Sequence, residues 1–373
     1  MSLDDIHITG PLYKKEYMKI LFVNTNIGYG GASKMMVWLA NILSEKRYDV
    51  SFLTYRDDEI LQPVSRKVKH IHLPLEPVSG GRKGIMGTVK AIRGFIKKER
   101  FDLAIAFLIP SQLRLSLAAA GLPIKILYSQ RGDPYSYSGG SKLMDYITRW
   151  SFRQADGYVF QTVGAKAFYS SKIQSISKVI PNPVVPLSRT SDREGAVEKR
   201  IVNIARLDVR QKRQDILIDA FKSISSQFPD YILELYGDGP DKALLERMAS
   251  DNSRIRFKGK TSDVVSAIQN ATCTVLSSDS EGIPNALLES MSLGVPSVST
   301  DCSPGGAAML IDNYKNGIIT PKGDVLALAK AVKFIIQNPE NAEDMGKNAM
   351  EINNIYSEER IAEQWIEYIE GMF

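Results

Sequence analysis

The sequence is poor in the residues that hold small secreted proteins and metal centres together. Only two cysteines, Cys273 and Cys302, and three histidines, His7, His70 and His72, occur among its 373 residues. Two cysteines argue against a disulfide framework or metal cluster, and we expect both to be small buried residues rather than nucleophiles. No apolar run approaches the roughly 18 residues that span a bilayer, and no signal-peptide pattern is present. We therefore expect a cytoplasmic protein.

The net charge is unevenly distributed along the chain. Residues 1–185 carry 26 Lys and Arg against 14 Asp and Glu (26 − 14 = +12), whereas residues 186–373 carry 21 against 28 (21 − 28 = −7). The basic half has no helix-turn-helix, zinc or RNA-binding signature, so we expect no nucleic acid partner. An anionic membrane surface or a phosphate-bearing acceptor explains the basic balance equally well.

The first half alternates predicted strands and helices. Residues 18–26 form a continuous apolar strand, followed by a turn with Gly28, Gly30 and Gly31 and then an apolar-periodic helix. Further strands at 48–55, 101–107, 124–128 and 157–160 alternate with helices at 84–98, 111–120 and 142–154. This alternation predicts a parallel sheet covered on both faces, with its ligand loop after the first strand.

The stretch 274–301 reads as strand, turn, helix and strand. Residues 277–282 form a polar turn, and Pro284 suits the first helical position because its backbone angle is fixed and it has no amide proton. Gly294 can supply the left-handed residue that ends this helix. A helix start at the carboxyl end of a strand exposes unpaired amides, so the pattern predicts a diphosphate site.

The string E-G-I-P-N-A-L-L-E-S-M-S-L-G-V-P-S-V-S-T-D, residues 281–301, resembles the E-x7-E signature of retaining glycosyltransferases of family 4. The resemblance covers 18–373 and implies the α/β GT-B fold, in which two Rossmann-like domains have parallel sheets that face each other across a cleft. It predicts an acceptor-side domain at 1–185, with 1–17 as a leader, and a nucleotide-sugar domain at 186–355. A terminal helix at 356–373 is expected to cross back to the N-terminal domain.

The resemblance also assigns roles on the donor side. Glu281 is expected to contact the transferred sugar and Glu289 the ribose hydroxyls. The string I-A-R-L-D-V-R-Q-K resembles the family pattern whose Arg and Lys clamp the pyrophosphate, which implies these catalytic roles for Arg206 and Lys212, although Ala205 replaces the usual Gly. The other expected donor contacts are Gly282, Ile283, Pro284, Asn285, Gly30, Gly31 and Gly237. Ala308 stands where many relatives carry Glu.

The loop S-Q-R-G-D-P resembles a segment found in relatives that build bacterial surface glycans. It implies that Arg131 and Asp133 face the acceptor or the donor sugar. The expected donor is a nucleoside diphosphate sugar, UDP-linked, and the expected acceptor is a glycan or a polyprenyl-diphosphate-linked glycan at the cytoplasmic face of the inner membrane. No metal or other cofactor is expected, because only Asp57 with Asp58, and Asp279 with Glu281, resemble a D-x-D metal site.

Three alternatives stay open at this level. A nucleotide-sugar epimerase of the same fold would bind UDP in the same cleft but would convert the donor without an acceptor. A catalytically silent nucleotide-sugar-binding subunit would keep only the binding residues. The basic amphipathic segment 82–100 can pack its apolar stripe on its own sheet, with a solvated basic face, and can dock on a membrane, and these two interpretations do not exclude each other.

Overall fold

The computed structural model describes residues 17–28, 30–56, 63–76, 82–136, 142–184 and 197–373. Its contacts divide the chain into two compact units, of which one comprises 1–106 and 110–126, and the other 107–109 and 127–373. The strands form two sheets, of seven and six strands, with the orders β3-β2-β1-β4-β5-β6-β7 and β10-β9-β8-β11-β12-β13.

The first unit holds alternating strands and helices. Their bounds are β1 Lys19–Asn24, α1 Gly31–Glu45, β2 Asp49–Arg56, β3 Lys69–Glu76, α2 Arg82–Glu99, β4 Leu103–Ala106 and most of α3 Ile109–Ala119. Strand β1 pairs in parallel with β2 and β4, and β2 pairs in parallel with β3. Because β1 and β4 are buried on both faces, their sequences KILFVN and LAIA are almost continuously apolar.

The second unit contains the remaining elements. The chain enters it within β5 Lys125–Gln130 and continues through α4 Lys142–Phe152, β6 Gly157–Phe160, α5 Val163–Ala167, α6 Ser171–Ser175 and β7 Ser177–Val179. The six-stranded sheet and its helices follow: β8 Glu198–Ile204, α7 Gln214–Ser225, β9 Ile232–Tyr236, α8 Lys242–Ala249, β10 Ile255–Gly259, α9 Val264–Ile268, β11 Ala271–Leu276, α10 Asn285–Ser292, β12 Ser297–Thr300, α11 Gly306–Leu310, β13 Ile318–Thr320, α12 Val325–Gln337, α13 Pro339–Ala349, α14 Ile352–Ile355 and α15 Glu358–Glu370.

The strand order of the six-stranded sheet places a ligand site. Strands β8 and β11 are neighbours at the centre of the sheet. From β8 the chain adds β9 and β10 on one side, and from β11 it adds β12 and β13 on the other side. All pairings in this sheet are parallel. In such open sheets the loops at the carboxyl ends of the two central strands separate and leave a crevice, where ligands bind. The loops after β8 and β11 are therefore the expected walls of a site.

Most predicted elements are present. Helix α15, Glu358–Glu370, lies within the segment 356–373 that was predicted to hold a terminal helix, and Gly294 has the predicted left-handed conformation, with φ of 65°. The prediction that Pro284 is the first helical residue is wrong by one position. Its ψ of 109° is extended while its carbonyl accepts bonds from Leu287 and Leu288, so Pro284 is the N-cap and the helix begins at Asn285.

Some predictions lie outside the described residues or stay untested. The leader, apart from Tyr17, the pair Asp57 and Asp58, and residues 185–196 around the predicted domain boundary lie outside the described ranges. The predicted domain limits therefore stay predictions. Helix α15 contacts β6 and the residue before β7, because the Tyr368 hydroxyl accepts from the Tyr158 amide at 2.9 Å and donates to the Ile176 carbonyl at 2.6 Å.

Candidate active site

Lys212 and Glu281 meet at the carboxyl edge of the six-stranded sheet. Lys212 lies in the loop between β8 and α7, and Glu281 in the turn between β11 and α10. The Lys212 ammonium donates to Oε1 of Glu281, with side-chain exposures of only 18% and 12%. The predicted phosphate cation and the predicted sugar-contacting acid thus form one partly buried ion pair at the crevice between the central strands.

Hydrogen bonds from both neighbouring segments fix the turn that carries Glu281. The Ser278 hydroxyl donates to Glu281 Oε1 at 2.8 Å, and the Glu281 amide donates to the Ser303 carbonyl at 2.8 Å. From the other side, the Gln211 amide group donates to the Ser280 carbonyl at 2.9 Å. The backbone of the turn therefore has little freedom, and the carboxylate direction is set before any ligand arrives.

Arg206 lies directly after β8 and has its own carboxylate partner, Asp208. The Arg206 side chain is 58% exposed, so its guanidinium is accessible to a ligand. The loop is closed by Gln214, which donates to the Arg206 carbonyl at 2.8 Å. Gly237, at the end of β9, has φ of 142°, and a Cβ there would lie 1.9 Å from the Ala205 carbonyl oxygen. Gly237 is needed for this close approach of the two strand ends.

Helix α10 begins where the turn ends, and Glu289 lies half-buried within it. Two glycines allow the backbones at its start to approach closely. A Cβ on Gly282 would lie 2.0 Å from Gln161 Oε1 and 2.7 Å from the Arg131 carbonyl oxygen, and a Cβ on Gly306 would lie 1.7 Å from the Gly282 carbonyl oxygen. The start of α10 is therefore packed against residues 131 and 161 without space for a side chain at Gly282.

Arg131 lies over an aromatic floor made by Phe107 and Trp365. The guanidinium carbon is 5.1 Å from the Phe107 ring centre and 6.0 Å from the Trp365 ring, and the two rings stack at 5.8 Å. Its Nε has no hydrogen-bond partner among the described residues. Burial lowers the pKa of Arg131 to about 9, so the group still carries its charge at neutral pH. A desolvated cation of this kind is suited to an anion.

A chain of buried amides connects Arg131 to the start of α10. Asn182 Oδ1 accepts from the Arg131 guanidinium and from Gln161 Nε2, the latter at 2.7 Å. Asn182 Nδ2 donates to Asn285 Oδ1 at 2.6 Å. The sequence predictions included Arg131 and Asn285 but missed Gln161 and Asn182. Gln161 directly follows the buried strand β6, so the rule that ligand loops follow strands could have indicated it.

Asp133 organises the loop that carries Arg131. One of its carboxylate oxygens accepts from the Tyr135 amide at 2.9 Å, and the other accepts from the Ser136 hydroxyl at 2.8 Å. The Ser136 hydroxyl also lies 3.0 Å from the Ser280 hydroxyl, next to Glu281. Asp133 thus holds the loop against the turn at Glu281.

A cavity of about 250 Å³ opens on the other flank of this loop. Gln130 and Pro134 form one wall, and α4 with the segment 168–173 forms the others. Phe152, Phe168 and Tyr169 supply aromatic surface, and Arg149 supplies charge. The volume is somewhat below the roughly 300–1,000 Å³ of pockets for drug-sized ligands, and suits one ring rather than a whole nucleotide sugar.

The remaining predictions concern two glycines of the first compact unit, two cysteines and Ala308. Gly30, with φ of 148°, is the N-cap of α1, and Gly31 is its first residue, in the first compact unit. Both cysteines are buried free thiols whose pKa burial raises to about 12, as expected of small buried residues. Ala308 is exposed on α11.

The described residues contain no group of three or more His, Cys, Asp or Glu that could hold a metal ion. Asp279, one of the acids in a D-x-D-like spacing, pairs with Arg213 at 2.8 Å.

Each half of the chain matches a glycosyltransferase family model. Residues 188–352 match the model described as Glycosyl transferases group 1, and residues 29–186 match Glycosyltransferase Family 4. An uncharacterized glycosyltransferase of Haemophilus influenzae is 26% identical over 93% of this chain and 98% of its own length. A Campylobacter jejuni GalNAc-α-(1→4)-GalNAc-α-(1→3)-diNAcBac-PP-undecaprenol α-1,4-N-acetyl-D-galactosaminyltransferase is 24% identical over 94% of this chain and 98% of its own.

A solved structure, Anabaena HepE in complex with UDP, superposes with a TM-score of 0.77 over 95% of this chain and 100% of that chain, at 19% identity. A likeness at this identity shows the fold alone. It confirms the expected fold class, two sheets of parallel strands in the α/β architecture of GT-B proteins.

Proposed function

Since the chain belongs to the glycosyltransferases of family 4 and group 1, an enzyme family, we propose that it transfers a sugar from a UDP-sugar to a glycan acceptor with retention of configuration. The observation that carries this proposal is the Lys212–Glu281 ion pair at the carboxyl edge of the six-stranded sheet. It joins the predicted phosphate cation to the predicted sugar-contacting acid in the crevice where ligands of open sheets bind.

The charge that most needs stabilisation in this reaction is the negative charge on the departing diphosphate. As the bond between the sugar C1 and the phosphate oxygen breaks, negative charge develops on UDP, and the acceptor oxygen bonds to C1 on the same face. The acceptor hydroxyl proton then passes to a phosphate oxygen of the leaving group. We propose that Arg206 and Lys212 stabilise that charge, which is supported by the exposure of Arg206 and by the pairing of Lys212 with Glu281 in the turn before α10.

The other donor contacts follow from the same edge. Glu289, on α10, is proposed to accept from the ribose hydroxyls. The backbone amides of Gly282, Ile283 and Asn285 are proposed to reach toward the sugar and diphosphate, with Pro284 as the residue that starts the helix. Gly237 keeps the end of β9 close to the loop of Arg206. Gly30 and Gly31, at the start of α1, are proposed to lie over the diphosphate.

On this proposal no metal ion is required, because two side-chain cations and a helix start can offset the diphosphate charge. The acid nearest to the ion pair in sequence, Asp279, is engaged with Arg213. A direct check is turnover in the presence of EDTA, which should equal turnover with added Mg²⁺ or Mn²⁺.

Arg131 and Asp133 are proposed to act on the acceptor side. Arg131 carries an enclosed positive charge without a carboxylate partner among the described residues, which suits an acceptor that brings phosphate. The similar Campylobacter enzyme is named for an undecaprenyl-diphosphate-linked substrate. We therefore propose a polyprenyl-diphosphate-linked glycan of bacterial surface polysaccharide synthesis as the acceptor, reached at the cytoplasmic face of the membrane.

Membrane contact is part of this proposal. No helix in the described ranges is long and apolar enough to cross a bilayer. A peripheral contact through basic residues is supported by the excess of 26 Lys and Arg over 14 Asp and Glu in residues 1–185.

The decisive experiment offers UDP- and GDP-sugars together with polyprenyl-diphosphate-linked acceptors and identifies products by mass spectrometry. We expect a mass gain of one sugar residue with a UDP-sugar, and an α-linkage by NMR if the donor is α-linked. Conversion of the donor in the absence of acceptor would support the epimerase instead. Tight UDP binding without turnover on any acceptor would support a silent binding subunit.

A further inference from the structure

Helix α4 exposes three large apolar side chains on one face. Leu143 is 65% exposed, Tyr146 69% and Trp150 37%. Their spacing of three and four residues places them on a single stripe of this 11-residue helix. Soluble proteins rarely leave clustered aromatic and aliphatic side chains in water, so such a stripe marks an interaction surface.

The exposed stripe is not the face that anchors the helix. Phe152, at the end of α4, is buried, stacks on Tyr169 at 4.8 Å and contacts Tyr158 at 4.9 Å. Ser151 is also buried. The helix is therefore fixed to the second unit through its other side, and Leu143, Tyr146 and Trp150 are not needed to hold it there.

Basic side chains border the stripe. Lys142, Arg149 and Arg153 are all exposed, and a helical projection places them together beside Tyr146. Over residues 134–178 the chain carries six Lys and Arg against two Asp, so the surroundings are positive as well. Aromatic side chains next to Lys and Arg are the composition that settles at an anionic bilayer interface, where rings enter the headgroup layer and cations contact phosphates.

Helix α2 offers the instructive contrast. Its apolar stripe is turned into the protein, since Val89, Ile92 and Ile96 are 7%, 0% and 3% exposed. This is the first of the two alternatives drawn from the sequence for segment 82–100. Lys97 and Lys98 on α2 can attract an anionic surface, but among the described side chains of this helix Met86 is the single large apolar one that is exposed, so α2 offers no apolar stripe there. Helix α4 has both.

We propose that α4 is the membrane-contacting element, which lies in the headgroup layer of an anionic bilayer with Tyr146 and Trp150 inserted and Lys142, Arg149 and Arg153 on lipid phosphates. This inference rests on the lipid-linked acceptor of the proposed function and names the surface that brings the enzyme to it. Charge complementarity favours an anionic bilayer over a second copy of this chain, because the same positive surfaces would repel each other.

The test uses the full chain with vesicles of phosphatidylcholine, with and without phosphatidylglycerol. Trp150 is one of three tryptophans in the chain, so its insertion should shift the emission to shorter wavelength on anionic vesicles, and Trp150→Phe should remove the shift. Tyr146→Ser with Trp150→Ser should reduce co-sedimentation at least tenfold, and Arg149→Gln with Arg153→Gln should do so at low salt. Leu326→Ser, at an apolar residue that is 67% exposed on α12, is the matched control and should bind as the wild type does.

Three results would overturn the inference. The first is equal vesicle binding by the wild type and the Tyr146/Trp150 variant, and the second is a loss of vesicle binding that only Lys97→Gln with Lys98→Gln on α2 produces. The third is a wild type that does not bind vesicles but forms a dimer in light scattering, which the Tyr146/Trp150 variant does not form. UDP affinity by calorimetry should be unchanged in the α4 variants. A wild type that binds vesicles through α4 but neither binds nor turns over UDP-sugars would contradict the proposed function and leave the membrane contact standing.

Discussion

The Lys212 ammonium donates a hydrogen bond to the Glu281 carboxylate, so the two side chains form an ion pair. Arg206 is likewise paired with Asp208. Both proposed phosphate-binding cations are thus held by acids of their own site, and a diphosphate must compete with those acids. The pairing orients the Lys212 side chain, which is only 18% exposed, and such preorganisation is what electrostatic catalysis requires.

We expect Lys212→Ala and Arg206→Ala each to lower turnover by about 10²–10³, as loss of one donor to a developing oxyanion does. Steady-state rates with a UDP-sugar measure this. Lys199→Ala is the control. Lys199 is exposed near the amino end of β8, the opposite end of the strand from Arg206, and among the described residues it pairs with Asp230. Wild-type turnover in both Lys212→Ala and Arg206→Ala would remove these residues from the site.

Glu289→Ala should weaken UDP binding by about 1.5–3 kcal/mol, because a charged acceptor of two ribose hydroxyl bonds would be lost. Calorimetry with UDP gives the affinity directly. Glu246→Ala, on the exposed face of α8 with Lys242, should bind UDP as the wild type does. Unchanged affinity in Glu289→Ala would place the ribose elsewhere.

Gly306→Ala should reduce activity strongly and destabilise the fold by about 1–3 kcal/mol, since overpacking forces the backbone to move. The added Cβ would lie 1.7 Å from the Gly282 carbonyl oxygen, in the turn that carries Glu281. Gly132→Ala is the matched control, because nothing lies within 4 Å of a Cβ there. Urea titration and turnover of both variants check this, and equal behaviour would contradict the close packing of the turn.

Asn182→Ala should cost about 1–3 kcal/mol of stability, because the enclosed Arg131 guanidinium and Gln161 both lose an acceptor. Turnover should fall as well, since Arg131 and Asn285 are no longer connected. Asn354→Ala, at an exposed residue of α14, is the control. Equal urea midpoints of unfolding for Asn182→Ala and Asn354→Ala would contradict a stabilising role of the amide chain.

The thiols should be silent in the native protein. Burial raises the pKa of Cys273 and of Cys302 to about 12, against a reference of 9.0, so both stay protonated at neutral pH. Because the unfolded chain loses these protons from about pH 9 while the folded protein retains them to about pH 12, unfolding should become easier across that window. Ellman's reagent at pH 8 should react with no thiol of the folded protein and with two thiols of the protein unfolded in urea. Rapid labelling of the folded protein would contradict the burial of the two cysteines.

The sequence predicted what depends on local pattern. Apolar runs and turn residues predicted the central strands and the helix after β11, whereas the roles of Arg206, Lys212 and Glu281 came from the resemblance to family 4 glycosyltransferases and stay predictions. Strands β3, β7 and β13 were missed. All three are at an edge of their sheet, β3 contains Pro74, and β7 and β13 have three residues each, so none shows the long apolar run of a central strand.

The amide chain could not be predicted in the same way. Gln161 and Asn182 are separated from Asn285 by more than a hundred residues, and each alone reads as an ordinary polar residue at a loop. Only the fold brings the end of β6, the segment at 182 and the start of α10 together, and only then does the lone Arg131 gain partners. Pairing of this kind depends on tertiary distances that no spacing in the sequence encodes.

The stack of Trp365 under Phe107 and Arg131 has a genetic consequence. Trp365 belongs to α15, so a nonsense or frameshift mutation between the codons of Ser357 and Trp365 would remove the Trp365 part of the aromatic floor of Arg131 together with the Tyr368 contacts to Tyr158 and Ile176. Strands β1 to β13 would still be encoded, yet such an allele should behave as a loss-of-function allele rather than a tolerated truncation.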